Sequence, residues 1–166
     1  IQDVDPIPDG GGPYNGIQGH PLVVDATLSR STTDADPLTQ IRWRWGDGTD
    51  DTVGTPQELA ITEHTYREDG QCEVTLFVRD EDSESEQRIQ VNIRDVFPEI
   101  IEVNRPPSAY ALQDLTFTIT ANPGAEGDAL TSFDFDFTES GQYNEYPTPE
   151  VHYQYLEEGE YTVKVR

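Results

Sequence analysis

The chain is 166 residues long, with 33 acidic residues against 10 basic ones and a formal net charge of −23. That balance argues against nucleic acid and anionic membranes as partners, since both need Lys and Arg to neutralise their charge. No stretch approaches the ~20 apolar residues of a membrane span, and the single cysteine, Cys72, leaves no intrachain disulfide to form.

The length allows two small domains, each just large enough to bury a core. The composition is not that of a disordered acidic tail: 2 Trp, 8 Tyr and 6 Phe sit at patterned positions with the acids spread between them. Lys164 is the only lysine. Acid excess with scarce lysine suits salt-rich or divalent-ion-rich surroundings, where screening relieves self-repulsion. An Arg-favouring codon bias explains the shortage equally well.

In chain order, Asp3 to Pro13 reads as a linker, and Asp9-Gly-Gly-Gly-Pro13 as a turn cluster. Period-two alternation then predicts strands at Leu22–Leu28, Ile41–Trp45, Glu73–Val78 and Arg88–Ile93. A second linker falls at Asp95 to Pro98, short enough to predict a semi-rigid junction. Strands follow at Leu115–Thr120, Phe133–Phe137 and Tyr161–Val165, with turns at Gly46-Asp-Gly48, Asn122-Pro-Gly124 and Glu158-Gly159. No segment holds a 3.6-residue apolar period; Pro56–Ala60 can make at most a turn of helix. Short strands spaced by turns predict an all-β chain of antiparallel sandwiches.

A frame occurs twice. Ile1-Gln-Asp-Val-Asp-Pro6 returns as Ile93-Arg-Asp-Val-Phe-Pro98. The skeleton Ile41-Arg-Trp-Arg-Trp45, His64-Thr-Tyr66, Gly70 and Val74 returns as Phe133-Asp-Phe-Asp-Phe137, Tyr155, Gly159 and Val163. A period of roughly 90 residues is that of a domain array. It predicts the end of a preceding repeat at 1–6, a first sandwich at 7–97, and a second at 98–166 that lacks its last strand. An open sheet edge there would invite self-association.

Gly11-Gly-Pro-Tyr14-Asn-Gly16, Trp43-Arg-Trp45-Gly-Asp-Gly-Thr49, His64-Thr-Tyr66 and Gly70-Gln-Cys-Glu-Val-Thr-Leu-Phe-Val78 together resemble the polycystic-kidney-disease (PKD) domain. The resemblance covers about 7–97 strongly and 98–166 more loosely, and implies tandem immunoglobulin-like sandwiches. Arg44 stands where the family motif has Asp, Trp45 where it has Phe, and Cys72 where it has Tyr. In the second repeat Thr138-Glu-Ser140 replaces Gly-Asp-Gly, and Tyr153 takes the His64 position. Alternation puts Ile41, Trp43 and Trp45 on one face as core, and Arg42 and Arg44 on the other. Tyr66 resembles the corner where immunoglobulin-like chains cross between sheets.

Some PKD domains carry calcium in the loop before the Trp strand. The resemblance therefore nominates Asp34 and Asp36 as Ca2+ ligands, and Glu126 and Asp128 in the equivalent loop of the second repeat. Calcium wants 6–8 oxygens at ~2.3–2.6 Å, so two carboxylates are a start, and a solvated acidic turn is the alternative. Asp134 and Asp136 read as an exposed polar strand face, and Asp80-Glu-Asp82 as a hairpin tip.

Catalysis finds no foothold: neither Gly-x-Ser-x-Gly, His-Glu-x-x-His nor a phosphate loop occurs, and Cys72 lacks a partner of suitable spacing. The expectation is a non-catalytic spacer or adhesion module of a secreted or surface protein, bacterial or archaeal. Its partners would be neighbouring repeats and a protein or polysaccharide. Accessory domains of a polymer hydrolase are the alternative, which exposure of Tyr143, Tyr146 and Tyr153 would favour. A self-assembling filament or surface-layer block is the third reading.

Overall fold

The computed structural model describes residues 4–33 and 36–166. It divides into two compact units, Ile1–Val96 and Phe97–Arg166.

In the first unit the strands are β1 (Tyr14–Ile17), β2 (Pro21–Asp25), β3 (Gln40–Arg44), β4 (Thr52–Gly54), β5 (Ile61–Thr65), β6 (Gly70–Arg79) and β7 (Glu84–Arg94). One sheet runs β1-β7-β6-β3-β4 and the other is the pair β2-β5. β1 lies parallel to β7, while β6 and β7 form a long antiparallel hairpin. Between the sheets Ile41, Trp43 and Trp45 meet Val74, Leu76 and Val78 of β6, Ile89, Val91 and Ile93 of β7, and Leu22 and Val24 of β2. This is the interior that the period-two pattern predicts. Indole N–H groups cannot be left unbonded in such a core. Trp43 donates to the Leu59 carbonyl at 3.1 Å and Trp45 to the Thr52 hydroxyl at 3.0 Å. The single helical turn, α1 (Pro56–Leu59), supplies that first acceptor. Thr55 and Glu58 close it at its start, with the Thr55 N–H donating to the Glu58 carboxylate at 3.0 Å.

The second unit has β8 (Glu99–Asn104), β9 (Asp114–Asn122), β10 (Phe133–Asp136), β11 (Asn144–Tyr146), β12 (Glu150–Gln154) and β13 (Lys164–Val165). Its sheets run β11-β10-β13 and β12-β9-β8. Leu115, Phe117, Ile119, Phe133, Phe135, Phe137 and Val151 fill the space between them. The chain is thus an all-β protein of sandwich architecture. Among the described residues no helix is long and apolar enough to cross a membrane.

Two details depart from expectation. Asp136 does not sit on an exposed face; it is fully buried. The turn after β10 folds over it, and its carboxylate accepts from the backbone N–H groups of Thr138, Ser140 and Gly141 at 3.1, 3.3 and 2.8 Å. β13 is also shorter than the predicted strand, with two residues paired to β10.

Candidate functional site

The first cluster that bears chemistry is built around β3 and β5. His64 lies flat on Trp45, ring centroids 4.3 Å apart, and meets Tyr66 edge-on at 4.7 Å. Its Nε2 is 2.7 Å from the Asp47 carboxylate. Asp47 also accepts from the backbone N–H and hydroxyl of Thr49 at 3.1 and 2.6 Å, which shapes the Gly46-Asp-Gly48 turn. Burial pushes the Asp47 carboxyl up, but His64 and Thr49 outweigh it and hold it below its ordinary value. Tyr66 donates its hydroxyl to the Trp45 carbonyl at 3.1 Å, and in the second unit Tyr155 does the same to Phe137 at 3.1 Å. There Tyr153 stacks on Phe137 at 4.1 Å. The stack on Trp45, the edge contact with Tyr66 and the bond to Asp47 engage the His64 imidazole in the packing of this corner.

Cys72 lies beside this cluster and lines a cavity of about 260 Å³ with Tyr66, Gly70 and Ile93. At the corresponding place in the second unit, Tyr161 stacks on Tyr155 at 3.8 Å. Burial pushes the Cys72 thiol up, which favours the neutral, unreactive form.

The outer face of the larger sheet carries Arg42 and Arg44 of β3. Their guanidinium carbons stand 3.6 and 5.0 Å from the centre of the Phe77 ring. Asp51 and Glu84 hold Arg42 at 3.1 and 2.9 Å. These charges are satisfied by each other and by the ring beneath them. Of the three tyrosines whose exposure would mark a polymer-binding face, Tyr146 and Tyr153 pack against the second core and Tyr143 lies under Arg166. They form no exposed row.

The second cluster was not legible as such in the sequence. Pairing of β3 with β6 sets Gln40 opposite Arg79. That brings the segment before β3 against the tip of the β6–β7 hairpin. Thr39 fastens the two, donating its hydroxyl to the Asp80 carbonyl at 2.7 Å. As a result Asp36, Asp80 and Asp82 each offer a carboxylate oxygen within 4.8 Å of the others. Two oxygens bound to one calcium can be at most ~5 Å apart, so the group fits a single ion.

Asp80 is 2% exposed, and its carboxylate accepts from the Ser83 N–H at 2.8 Å. Burial pushes its carboxyl up; the Ser83 and Asp82 bonds more than offset this and keep it ionised below the usual range. Asp36 is half-buried, and its Oδ1 is enclosed with no hydrogen-bond partner among the described residues. An enclosed carboxylate oxygen without a donor is costly unless a cation answers it. The residues present therefore fit a divalent cation.

Of the residues nominated from sequence, Asp36 joins this group and Asp34 lies outside the described residues. Glu126 and Asp128 sit in the turn after β9, where the Ala125 N–H donates to Asp128 at 3.2 Å. Neither belongs to a group of three ligating side chains among the described residues. The sequence alone reads Asp80 and Asp82 as a hairpin tip. Expecting the strand at 41 to pair with the strand ending near 78 would have placed them beside Asp36.

Comparison with known proteins bears on the first unit. The profile of the PKD domain matches residues 3–94. The chain belongs to the PKD domain family. No curated protein matches it. Among solved structures it is similar to one described as "Structural basis for the promiscuous specificity of the carbohydrate-binding modules from the beta-sandwich super family". Identity there is 13%, with 99% of this chain and 85% of that chain covered and a TM-score of 0.46. That likeness is too distant to bear on function. The PKD match ends at the last residue of β7, and the second unit lies beyond it.

Proposed function

We propose that this chain is a non-catalytic contact and spacing module of a larger secreted or cell-surface protein, and that its first unit is stiffened by a divalent cation, Ca2+ by preference. The observation that carries the reading is the meeting of Asp36, Asp80 and Asp82, with the Asp36 Oδ1 enclosed and without a donor. An ion there would draw the segment before β3 to the β6–β7 hairpin tip and neutralise carboxylates that otherwise repel one another.

The consequence is mechanical. Just upstream of Asp36, Arg30 exchanges both backbone hydrogen bonds with Ile7 at 2.8 and 3.0 Å, and Thr32 donates to the Val4 carbonyl at 3.0 Å. The chain entering the unit is therefore strapped to the very loop that the cation would fix. Binding would make the entry stiffer, which suits an element whose task is to hold neighbours at a set distance. His64, Asp47, Tyr66 and Cys72 are engaged in the corner packing described above, which supports a non-catalytic role for that cluster.

A thermal melt at fixed ionic strength tests this. A ligand that binds only the folded state raises stability by RT ln(1 + [L]/Kd). The expected result is a midpoint that rises with calcium concentration and exceeds that in equal magnesium. Equal responses to the two ions, or none, would remove the cation from the account.

A further inference from the structure

The carboxylates of the proposed cation group belong to two stretches of chain, and each stretch is tied within itself. On the hairpin, the Asp80 carboxylate accepts from the N–H groups of Ser83 and Asp82 at 2.8 and 3.3 Å, and from the Ser83 hydroxyl at 3.1 Å. Those bonds fix where Asp80 points and carry Asp82 beside it. In the loop before β3, the Ser31 hydroxyl is bonded to the carbonyls of Thr33 and Asp36, and the Asp36 N–H donates to the Thr33 carbonyl at 3.3 Å. Neither set of bonds decides how far Asp36 stands from Asp80 and Asp82.

That separation is set at Thr39. Its N–H donates to the Arg79 carbonyl at 2.7 Å, which prolongs the β3–β6 ladder past Gln40, and its hydroxyl donates to the carbonyl of Asp80 itself at 2.7 Å. Between Asp36 and Thr39 stand Pro37, whose ring fixes φ, and Leu38, which packs against the first core. There is little slack between ligand and rivet. Three carboxylates within 4.8 Å repel one another, so an untied pair of stretches would part until an ion drew them together. A frame held ready loses less freedom on binding.

The two common divalent ions use such a frame differently. Mg2+ binds through one or two carboxylates and keeps several waters, a need that Asp80 and Asp82 can meet from the hairpin alone. Ca2+ takes 6–8 oxygens, so it gains from Asp36 on the other stretch. Resting on the cation reading above, we infer that Thr39 is a positioning residue: its hydroxyl holds the two stretches at the spacing of one calcium ion and so sets the preference for Ca2+ over Mg2+.

Thr39→Val keeps the shape of the side chain and the backbone bond but removes the hydroxyl. Titration calorimetry on the whole 166-residue chain, with CaCl2 and MgCl2 in turn at fixed ionic strength, reads both affinities. Loss of this one hydrogen bond should weaken Ca2+ binding about tenfold and leave Mg2+ binding within about twofold. Thr39→Ser, which restores the hydroxyl, should return Ca2+ affinity to the wild-type value. Because Thr39 is exposed, the urea midpoint in chelator, followed by tryptophan fluorescence, should barely move in Thr39→Val. Thr39→Ala, equally without the hydroxyl, should repeat the Ca2+ result and serves in its place if the Val variant does not fold. A merely structural contribution would instead lower the midpoint in chelator and weaken both ions together. Unchanged Ca2+ affinity in both hydroxyl-free variants, an equal fall for the two ions, or a Ser variant no better than Val would overturn the inference and leave the cation reading standing. A wild-type chain that takes up no calcium would remove both.

Discussion

Replacing His64 separates the two contributions of the corner, and the second unit's Tyr153 stack suggests the control. His64→Ala removes a stacked contact with Trp45 and an edge contact with Tyr66, at 4.3 and 4.7 Å, together with the Asp47 bond at 2.7 Å. Ring pairs contribute ~0.5–1.5 kcal/mol each, and a hydrogen bond to a charged group ~1.5–3 kcal/mol. The pair is 14% and 19% exposed, so we take the lower end for it. The loss should be about 3 kcal/mol for Ala. His64→Tyr copies the second unit, where Tyr153 keeps equivalent ring contacts at 4.1 and 4.8 Å. It should lose only the Asp47 bond, roughly 1.5 kcal/mol. Both tryptophans, Trp43 and Trp45, lie in the first core. Urea unfolding followed by tryptophan fluorescence therefore reports that unit selectively. If Tyr costs as much as Ala, the stack contributes nothing; if Tyr is neutral, the Asp47 bond contributes nothing. Either result refutes the account of the corner.

Acid should expose a dome in stability. Asp47, Asp80 and Asp136 are each pushed up by burial but pulled lower by their hydrogen bonds, with a net fall below the ordinary value. Their stabilisation is present above the unfolded pKa of ~3.9 and is lost as pH falls through the folded values. Repulsion from the −23 charge eases over the preceding range, so at low salt the urea midpoint should rise from pH 7 to a maximum near about pH 5 and then fall. A monotonic rise into strong acid would contradict this. Gly46→Ala should cost ~3 kcal/mol or more, or prevent folding, because a Cβ there would stand 2.2 Å from the Glu73 carbonyl oxygen at φ +79°. Gly48→Ala, at φ +86° with open space around it, should cost only ~1–2 kcal/mol by the same urea assay.

What could be read from the sequence follows from how each element advertises itself. β3, β6, β7 and β9 alternate apolar and polar residues over several positions, so their period showed. β5 turns Thr62 and His64 inward, and β1 has glycine at position 16, so neither carries an apolar alternation. β8 is broken by a bulge between Ile100 and Glu102, which erases its period. Asp136 alternates with phenylalanines and so looked like an outward polar residue; only the turn that folds back over it makes it buried. The carboxylate group was hidden for a topological reason. Asp36 and Asp80 are distant in sequence and become neighbours only through the β3–β6 pairing, so a search for ligands by local spacing finds Asp36 without its partners.

The cation clip is the claim on which the proposed function rests, and titration calorimetry with Ca2+ addresses it most directly. The wild-type chain should take up about one ion, and Asp36→Asn combined with Asp82→Asn should abolish that uptake while leaving a folded chain with unchanged tryptophan fluorescence. Binding that survives the paired substitution, or heat no greater than magnesium gives, would contradict the account and leave the first unit without a cation to fix its entry strap.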